Sequence, residues 1–361
     1  MSEAEKELTA EEVIELMDRA DEAMRSTLGR MLTPQARREG GEEHREQLRK
    51  LLSVASPHHV RDVMLHRMSR EKMYVGRSLS FMNSIVAKTE TSRIGGRLTG
   101  WTLNDKQSAY DFVDLLRVRR PALFGPSRPL ADLELTPRTV VKPVSGSSSL
   151  GCYLVFAEDH IVHVPDRRTF TGQAQWLKHA QSILRKRSGP NKDLWVTEEL
   201  VMRDPENLQP APDLKFYVFY GKLALVSEIQ RYPEAKRDFW NARGERIDPP
   251  GTWDAELFEG EGFSPEHRKL VERISREIPY PFMRIDMLRG EDGLVFGEFT
   301  PRPGSSNRFL PAWDRHLGEM WSLAENRLEH DLLAGKDFSA YKVYINRKKQ
   351  KRAEAKQAAQ Q

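Results

Sequence analysis

Several stretches of this chain put charged residues where they could handle phosphate and a metal ion. In VVKPVSGSSSLGCYLV, residues 140–155, a strand-like run delivers Lys142 and is followed by Gly146, Ser147, Ser148, Ser149 and Gly151. Glycine lets backbone N–H groups approach an anion, serine adds hydroxyl donors, and a strand lysine adds a fixed charge. The combination suits a phosphate cover. It is not a Walker loop, because the lysine precedes the glycines. A hairpin turn with a surface lysine is the alternative.

The second stretch is PFMRIDMLRGEDGLVFGEFTPRPGSSNRF, residues 281–309. Arg284 and Asp286 lie two apart and so face the same side of a strand. A turn at Gly290–Gly293 brings Glu298 back opposite Asp286. Two converging carboxylates repel unless a cation lies between them. Hard oxygen ligands of this kind suit Mg²⁺ together with substrate phosphates, and Arg284 would neutralise a terminal phosphate. The alternative is that Asp286 pairs with Arg284 and Glu298 with another cation. Two weaker signals accompany these. DLWVTEELV, residues 193–201, ends an apolar strand on Glu198-Glu199, as a linker reading an adenine edge would. DLKFYVFYGKLALVSEI, residues 213–229, places Lys215 on a β surface.

The elements that must hold these residues change character along the chain. Residues 3–32, 42–55 and 57–75 have helical spacing, the last with His58, His59 and His66, whose spacing makes a poor metal site. Residues 103–118 read as an amphipathic helix capped by Asn104 or Asp105. From about 120 onward short apolar runs alternate with turns. Strands are expected at 139–144, 152–156, 194–198, 214–220, 222–229, 281–288 and 293–299. Helices are expected at 172–187 and 264–277, the latter with Ser264 and Pro265 at its start. The pattern predicts an α+β body behind a helical front.

Composition narrows the class. The chain has 361 residues, 30% of them charged, and one cysteine, Cys152. An intrachain disulfide and a multi-thiolate metal site are excluded, and a reducing, cytoplasmic setting is expected. There is no run of about 20 apolar residues for a membrane span. The acidic N-terminal stretch does not look like a secretory signal. The net charge of +4 comes from residues 341–361, where seven basic residues stand against one acidic one, so that residues 1–340 carry −2. A nucleic-acid partner over the main surface is therefore not expected. The tail reads as a frayed, solvated helix or a disordered end, or as a weak contact for an anionic surface.

Taken in order, Lys106, the strand lysine with its Gly/Ser loop, the acidic hinge, DLKFYVFYGK, RIDML and GEFTPRPGSS resemble the ATP-grasp superfamily. With PAWDRHLGEMW, residues 311–321, the resemblance is to its TupA-like branch, named for teichuronopeptide biosynthesis. It covers about residues 100–325 and implies two α+β lobes clamping ATP, with an added helical N-terminal region. On this reading residues 1–98 are the helical region and 99–138 a pre-grasp segment. Residues 139–199 form the lid and central lobe, 200–335 the C-terminal lobe with the metal site, and 336–361 a basic tail. The resemblance implies ATP and Mg²⁺ as cofactors. Lys106 and Lys142 would bind phosphates, Gly146 to Gly151 would form the lid, and Glu198, Glu199 and Leu200 would meet adenine. Lys215 and Arg284 would contact the transferred phosphoryl group, and Asp286 and Glu298 would hold the metal. Thr300 stands where most ATP-grasp members place an asparagine ligand, which leaves one metal or two open.

The implied reaction is carboxylate activation by ATP followed by attack of an amine, in cell-surface polysaccharide or peptide natural-product assembly. Arg302, Ser305, Ser306 and Asn307 would face the acceptor, with Arg302 gripping a carboxylate. A hydroxyl phosphotransferase and a non-catalytic scaffold are the alternatives. Arg61, His66, Arg67 and Arg70 could hold an anionic acceptor or form a solvated face. Residues 1–98 have no assigned role beyond covering the site, binding the acceptor or forming a homodimer.

Overall fold

The structure, a computed structural model, describes residues 8–61, 64, 68, 73–144, 149–189, 191–253, 256–304 and 306–358. The chain divides into two compact units. One comprises residues 1–90 and 310–322, the other 91–309 and 323–361.

The first unit is helical. The helix Ala10–Met31 starts on a reciprocal cap: Glu12 N–H donates to Thr9 Oγ1 and Thr9 N–H to the Glu12 carboxylate at 2.8 Å. Leu28 and Leu32 meet Leu48 and Leu52 of the helix Gly41–Val54, with Ala55, Met73 and Val75 closing the core. The stretch expected to be helical from 57 to 75 is not one helix. Pro57–His59 is a single 3-10 turn, and Met73–Val75 has no regular secondary structure. His66, Arg67 and Arg70 lie outside the described residues. His59 accepts Ser56 N–H on Nδ1 and therefore donates from Nε2 to Asp21 at 2.8 Å, which commits both of its nitrogens.

PAWDRHLGEMW acquires a structural account here. Asp314 Oδ1 accepts the Met82 N–H at 2.9 Å, which satisfies an orphan donor at the start of the helix Phe81–Gly95. Gly318 lies against the Leu79 carbonyl, where any Cβ would collide. Leu317 and Trp321 are buried, and Trp321 packs on Phe81. The residues belong to one helix, Pro311–Leu333, which sequence reading had not delimited.

The second unit is α+β. Among the described residues one sheet has the order β4-β3-β2-β1-β5: β1 is Thr139–Pro143, β2 Tyr153–Ala157, β3 His160–His163, β4 Thr169–Phe170 and β5 Trp195–Glu199. Val141, Tyr153, Val155 and Trp195 point from one face onto Trp176 and Ala180 of the helix Gln173–Arg185. A small ribbon pairs β6, Met202–Asp204, with β7, Gln209–Pro210. The larger sheet has the order β11-β10-β9-β8-β12-β13. Its strands are β8 Asp213–Val218, β9 Leu223–Gln230, β10 Lys236–Asn241, β11 Glu256–Leu257, β12 Met283–Gly290 and β13 Gly293–Thr300. The β8–β9 turn closes at Gly221 (φ +80°), and β12–β13 at Gly290–Gly293, both at the expected places. The helix Pro265–Arg276 begins on Ser264, whose hydroxyl accepts the His267 N–H.

The basic tail departs from expectation. Ser339–Ala358 is a helix whose Tyr341 and Tyr344 pack on Phe112 at 6.1 and 6.0 Å between ring centres. Lys348 Nζ donates to Ser108 Oγ at 2.6 Å, and Lys351 pairs with Asp111 at 2.8 Å. Two of the tail's cations thus brace the helix Lys106–Leu115 instead of standing in solvent. Tyrosines every third residue were the signal for that packing.

Candidate active site

Antiparallel pairing sets Lys142 and Glu198 on one face of the smaller sheet. Glu198 is 2% exposed. It accepts from Lys142 and from Tyr110 Oη at 3.2 Å, with Lys106 Nζ at 3.8 Å. Lys106 opens its helix, which Asp105 caps through the Ser108 N–H at 2.9 Å. Burial pushes the Glu198 carboxyl up, but the charges of Lys142 and Lys106 outweigh it and hold it below the usual range. Burial and the neighbouring Lys142 charge pull Lys106 down to about 8. Lys142 is raised despite burial, because Glu198 lies against it. One carboxylate thus serves two lysines and leaves a positive charge over. On the same face Leu154, Phe156, Val162 and Leu200 form an apolar floor against which Val140 packs.

Three residue rows cross the larger sheet. One runs Phe239, Ser227, Lys215, Asp286, Glu298 from β10 to β13. A second runs Tyr217, Arg284, Thr300, and a third Arg237, Ile229, Asp213. Asp286 receives Arg284 Nε and Nη2 at 2.7 Å each and Lys215 on the same oxygen as Nη2. Burial opposes ionisation, yet Arg284 and Lys215 hold this carboxyl far below the usual range. Glu298 behaves oppositely. Its side chain is 55% exposed, with Arg284 Nη2 at 3.7 Å. The protein packed around it and the Asp286 charge push its pKa up. The two charged groups feel each other, since Lys106 and Glu298 interact electrostatically.

Asp286 and Glu298 face each other in register, and burial together with repulsion from Asp286 raises Glu298. A hard divalent cation such as Mg²⁺ relieves that repulsion, so this donor set fits it. Thr300 Oγ1 accepts Arg284 Nη2 at 2.9 Å, which ties its hydroxyl to the arginine.

The other sequence-derived residues are placed differently. Glu199 receives Arg119 at 2.8 Å and the Ala122 N–H at 3.1 Å. The backbone N–H groups of Glu199 and Leu200 donate to Ala122 and Arg138. Ser149 and Gly151 form a turn whose glycine has φ +79° and backs onto Pro143. Gly146, Ser147, Ser148 and Ser305 lie outside the described residues. Arg302 is not drawn into either cluster; its guanidinium lies 4.3 Å from the Trp101 ring centre. Ser306 and Asn307 sit in a 3-10 turn, Asn307 exposed. Sequence reading missed Tyr110 and the Asp213–Arg231 pair. Asp213 was legible in principle: it stands two before Lys215 and shares its face.

The family model for TupA-like ATP-grasp proteins matches residues 87–322. The chain belongs to that family. Among solved structures it is similar to the ATP-grasp ligase PsnB complexed with minimal precursor, at 13% identity and a TM-score of 0.31, over 62% of this chain and 64% of that one. It is similar at 13% identity to D-alanine–D-alanine ligase from Bacillus anthracis complexed with ATP, with a TM-score of 0.35, over 63% of this chain and 66% of that one. The L-amino acid ligase from Bacillus licheniformis matches at 13% identity and a TM-score of 0.33, over 56% of this chain and 41% of that one. The chain thus spans less than two thirds of each of these three proteins. No curated protein sequence matches it.

Proposed function

We propose that this TupA-like ATP-grasp protein is a Mg-ATP-dependent ligase that joins a carboxylate to an amine through an acyl phosphate. Membership of the family supports an ATP-dependent ligase in general terms. One observation carries the finer reading: Lys215, Asp286 and Glu298 stand in a single row beside Arg284, within electrostatic reach of Lys106. Phosphoryl transfer to a carboxylate gathers negative charge and needs no protein nucleophile, so positioned cations are the chemistry required.

Each residue then has a task. Lys106 and Lys142 take phosphate oxygens, with Glu198 orienting both lysines while the site is free of nucleotide. The apolar floor of Leu154, Val162 and Leu200 receives a flat base. Asp286 and Glu298 would hold Mg²⁺, which would supply charge neutralisation for the phosphates. Lys215 and Arg284 hold the transferred group and are positioned by their bonds to Asp286. The acceptor lies toward the loop 301–309. The setting would be cytoplasmic, in cell-envelope or peptide natural-product assembly.

The test is ADP and phosphate release from Mg-ATP with pooled amino acids and short peptides, wild type against Glu298→Gln. Acceptor-dependent ADP, free phosphate and a new amide mass, all lost in the variant, establish the ligase. A phosphoryl gain on the acceptor without free phosphate overturns it in favour of a kinase.

A further inference from the structure

The charged face of the larger sheet extends past the residues assigned so far. Arg237 on β10 stands in the row that continues to Asp213, so it faces the same side as Lys215 and Asp286. Its guanidinium makes one hydrogen bond, Nη1 to Ser227 Oγ at 3.3 Å. Its Nε is buried without an acceptor, and no carboxylate lies within ion-pair reach among the described residues. Burial, Arg231 and Arg284 disfavour its charge, while Asp213, itself paired with Arg231, attracts it from beyond ion-pair reach. A partly buried cation without an ion-pair partner is costly, and a fold keeps one where something else provides the charge.

A second orphan donor stands beside it. The Trp253 ring centre lies 5.6 Å from the Arg237 guanidinium, and its indole Nε1 is also buried without an acceptor among the described residues. Trp253 packs on Phe239 at 4.8 Å and on Phe309 at 5.5 Å, and Phe309 on Tyr217 at 5.7 Å. The Thr252 N–H donates to the Arg308 carbonyl at 2.9 Å, joining this segment to the end of the loop 301–309. Aromatic walls, a planar cation and a spare N–H are complementary to a carboxylate on an apolar organic body.

We propose that Arg237 and Trp253 form a subsite for a substrate carboxylate distinct from the one that is activated. β10 stands three strand positions from β12, or about 14 Å between backbones at the usual strand spacing. On this proposal the carboxyl held by Arg237 is a second one, carried by an amino acid or peptide whose free acid is recognised. This rests on the ligase reading above and names its substrate class.

Ligand-observed NMR with phenylacetate and phenylacetamide on the full chain tests the subsite without catalysis. Wild type is expected to bind the acid, Arg237→Gln to bind it about 10- to 100-fold more weakly, the loss of a charged hydrogen-bonded pair, and the amide to bind neither. Trp253→Phe keeps the wall, loses the N–H and should fall between. An unchanged ATP thermal shift in both variants shows that they are folded. Equal binding of acid and amide, no binding by wild type, or equal binding by Arg237→Gln overturns the proposal. So does an ATP affinity that falls with Arg237→Gln in a folded protein, which would make the residue a nucleotide-phosphate contact. Turnover separates the two readings. With an active wild type, Arg237→Gln must lose rate on free-acid acceptors and match wild type on their C-terminal amides; equal loss on both overturns the subsite. With an inactive wild type the ligase reading fails, and the phenylacetate result alone decides the subsite.

Discussion

The smaller and larger sheets of the second unit both present a charged face, yet they organise charge differently. On the smaller one a single buried carboxylate, Glu198, holds two lysines above an apolar floor. On the larger one cations and carboxylates alternate along rows, and Asp286 is gripped by two cations while Glu298 stands open. The first arrangement is a reservoir of positive charge that awaits an anion. The second already has its charges matched at the centre, while Arg237 has no ion-pair partner among the described residues. On the proposed function, this difference predicts that nucleotide binding and phosphoryl handling are separately breakable.

The largest expected effect is at Asp286. Its replacement by alanine strands Lys215 and Arg284 and should lower folding stability by about 3–5 kcal/mol in urea unfolding, the usual cost of breaking a buried pair; a loss under about 1 kcal/mol would show the pairing to be incidental. Glu198→Gln should cost less, about 2 kcal/mol, because the amide still accepts from Tyr110 and only charge is lost. Third is the pH response. Lys106, pulled down to about 8, is charged below that pH and neutral above it. The Kd for ATP should therefore rise about tenfold from pH 7 to 9, and Lys106→Arg should flatten the curve. Smallest on the folding scale is Glu298→Gln, whose exposed carboxyl should leave stability within about 0.5 kcal/mol of wild type. Its turnover should nonetheless fall below detection, and a variant that both folds and turns over normally would remove Glu298 from the metal site.

Legibility in the sequence followed the same divide. Arg284, Asp286 and Glu298 could be brought together on paper, because a two-residue period and a tight turn at Gly290–Gly293 fix their register. The Lys106–Lys142–Glu198 cluster could not. Its members lie 36 and 56 positions apart, and no local pattern shows that they meet; Glu198 was read as a hinge, whereas its side chain is the anchor. Arg237 escaped for a related reason, since its strand carries mixed charges and no apolar alternation. The α+β order behind a helical front was readable from changing periodicity. The helices Phe81–Gly95 and Pro311–Leu333 were not, because their pattern is blurred by polar residues that serve caps and close approaches, as Asp314 and Gly318 do.

The brace between Lys348 and Ser108 has a practical consequence for anyone trimming the chain. Residues 87–322 carry the family match, but the helix that steadies the first turn behind Lys106 lies beyond them, at Ser339–Ala358. A fragment cut to the borders of sequence similarity would keep the residues proposed to touch nucleotide and discard their splint. The stretch shared with relatives and the stretch that folds as a working whole are different lengths of this polypeptide.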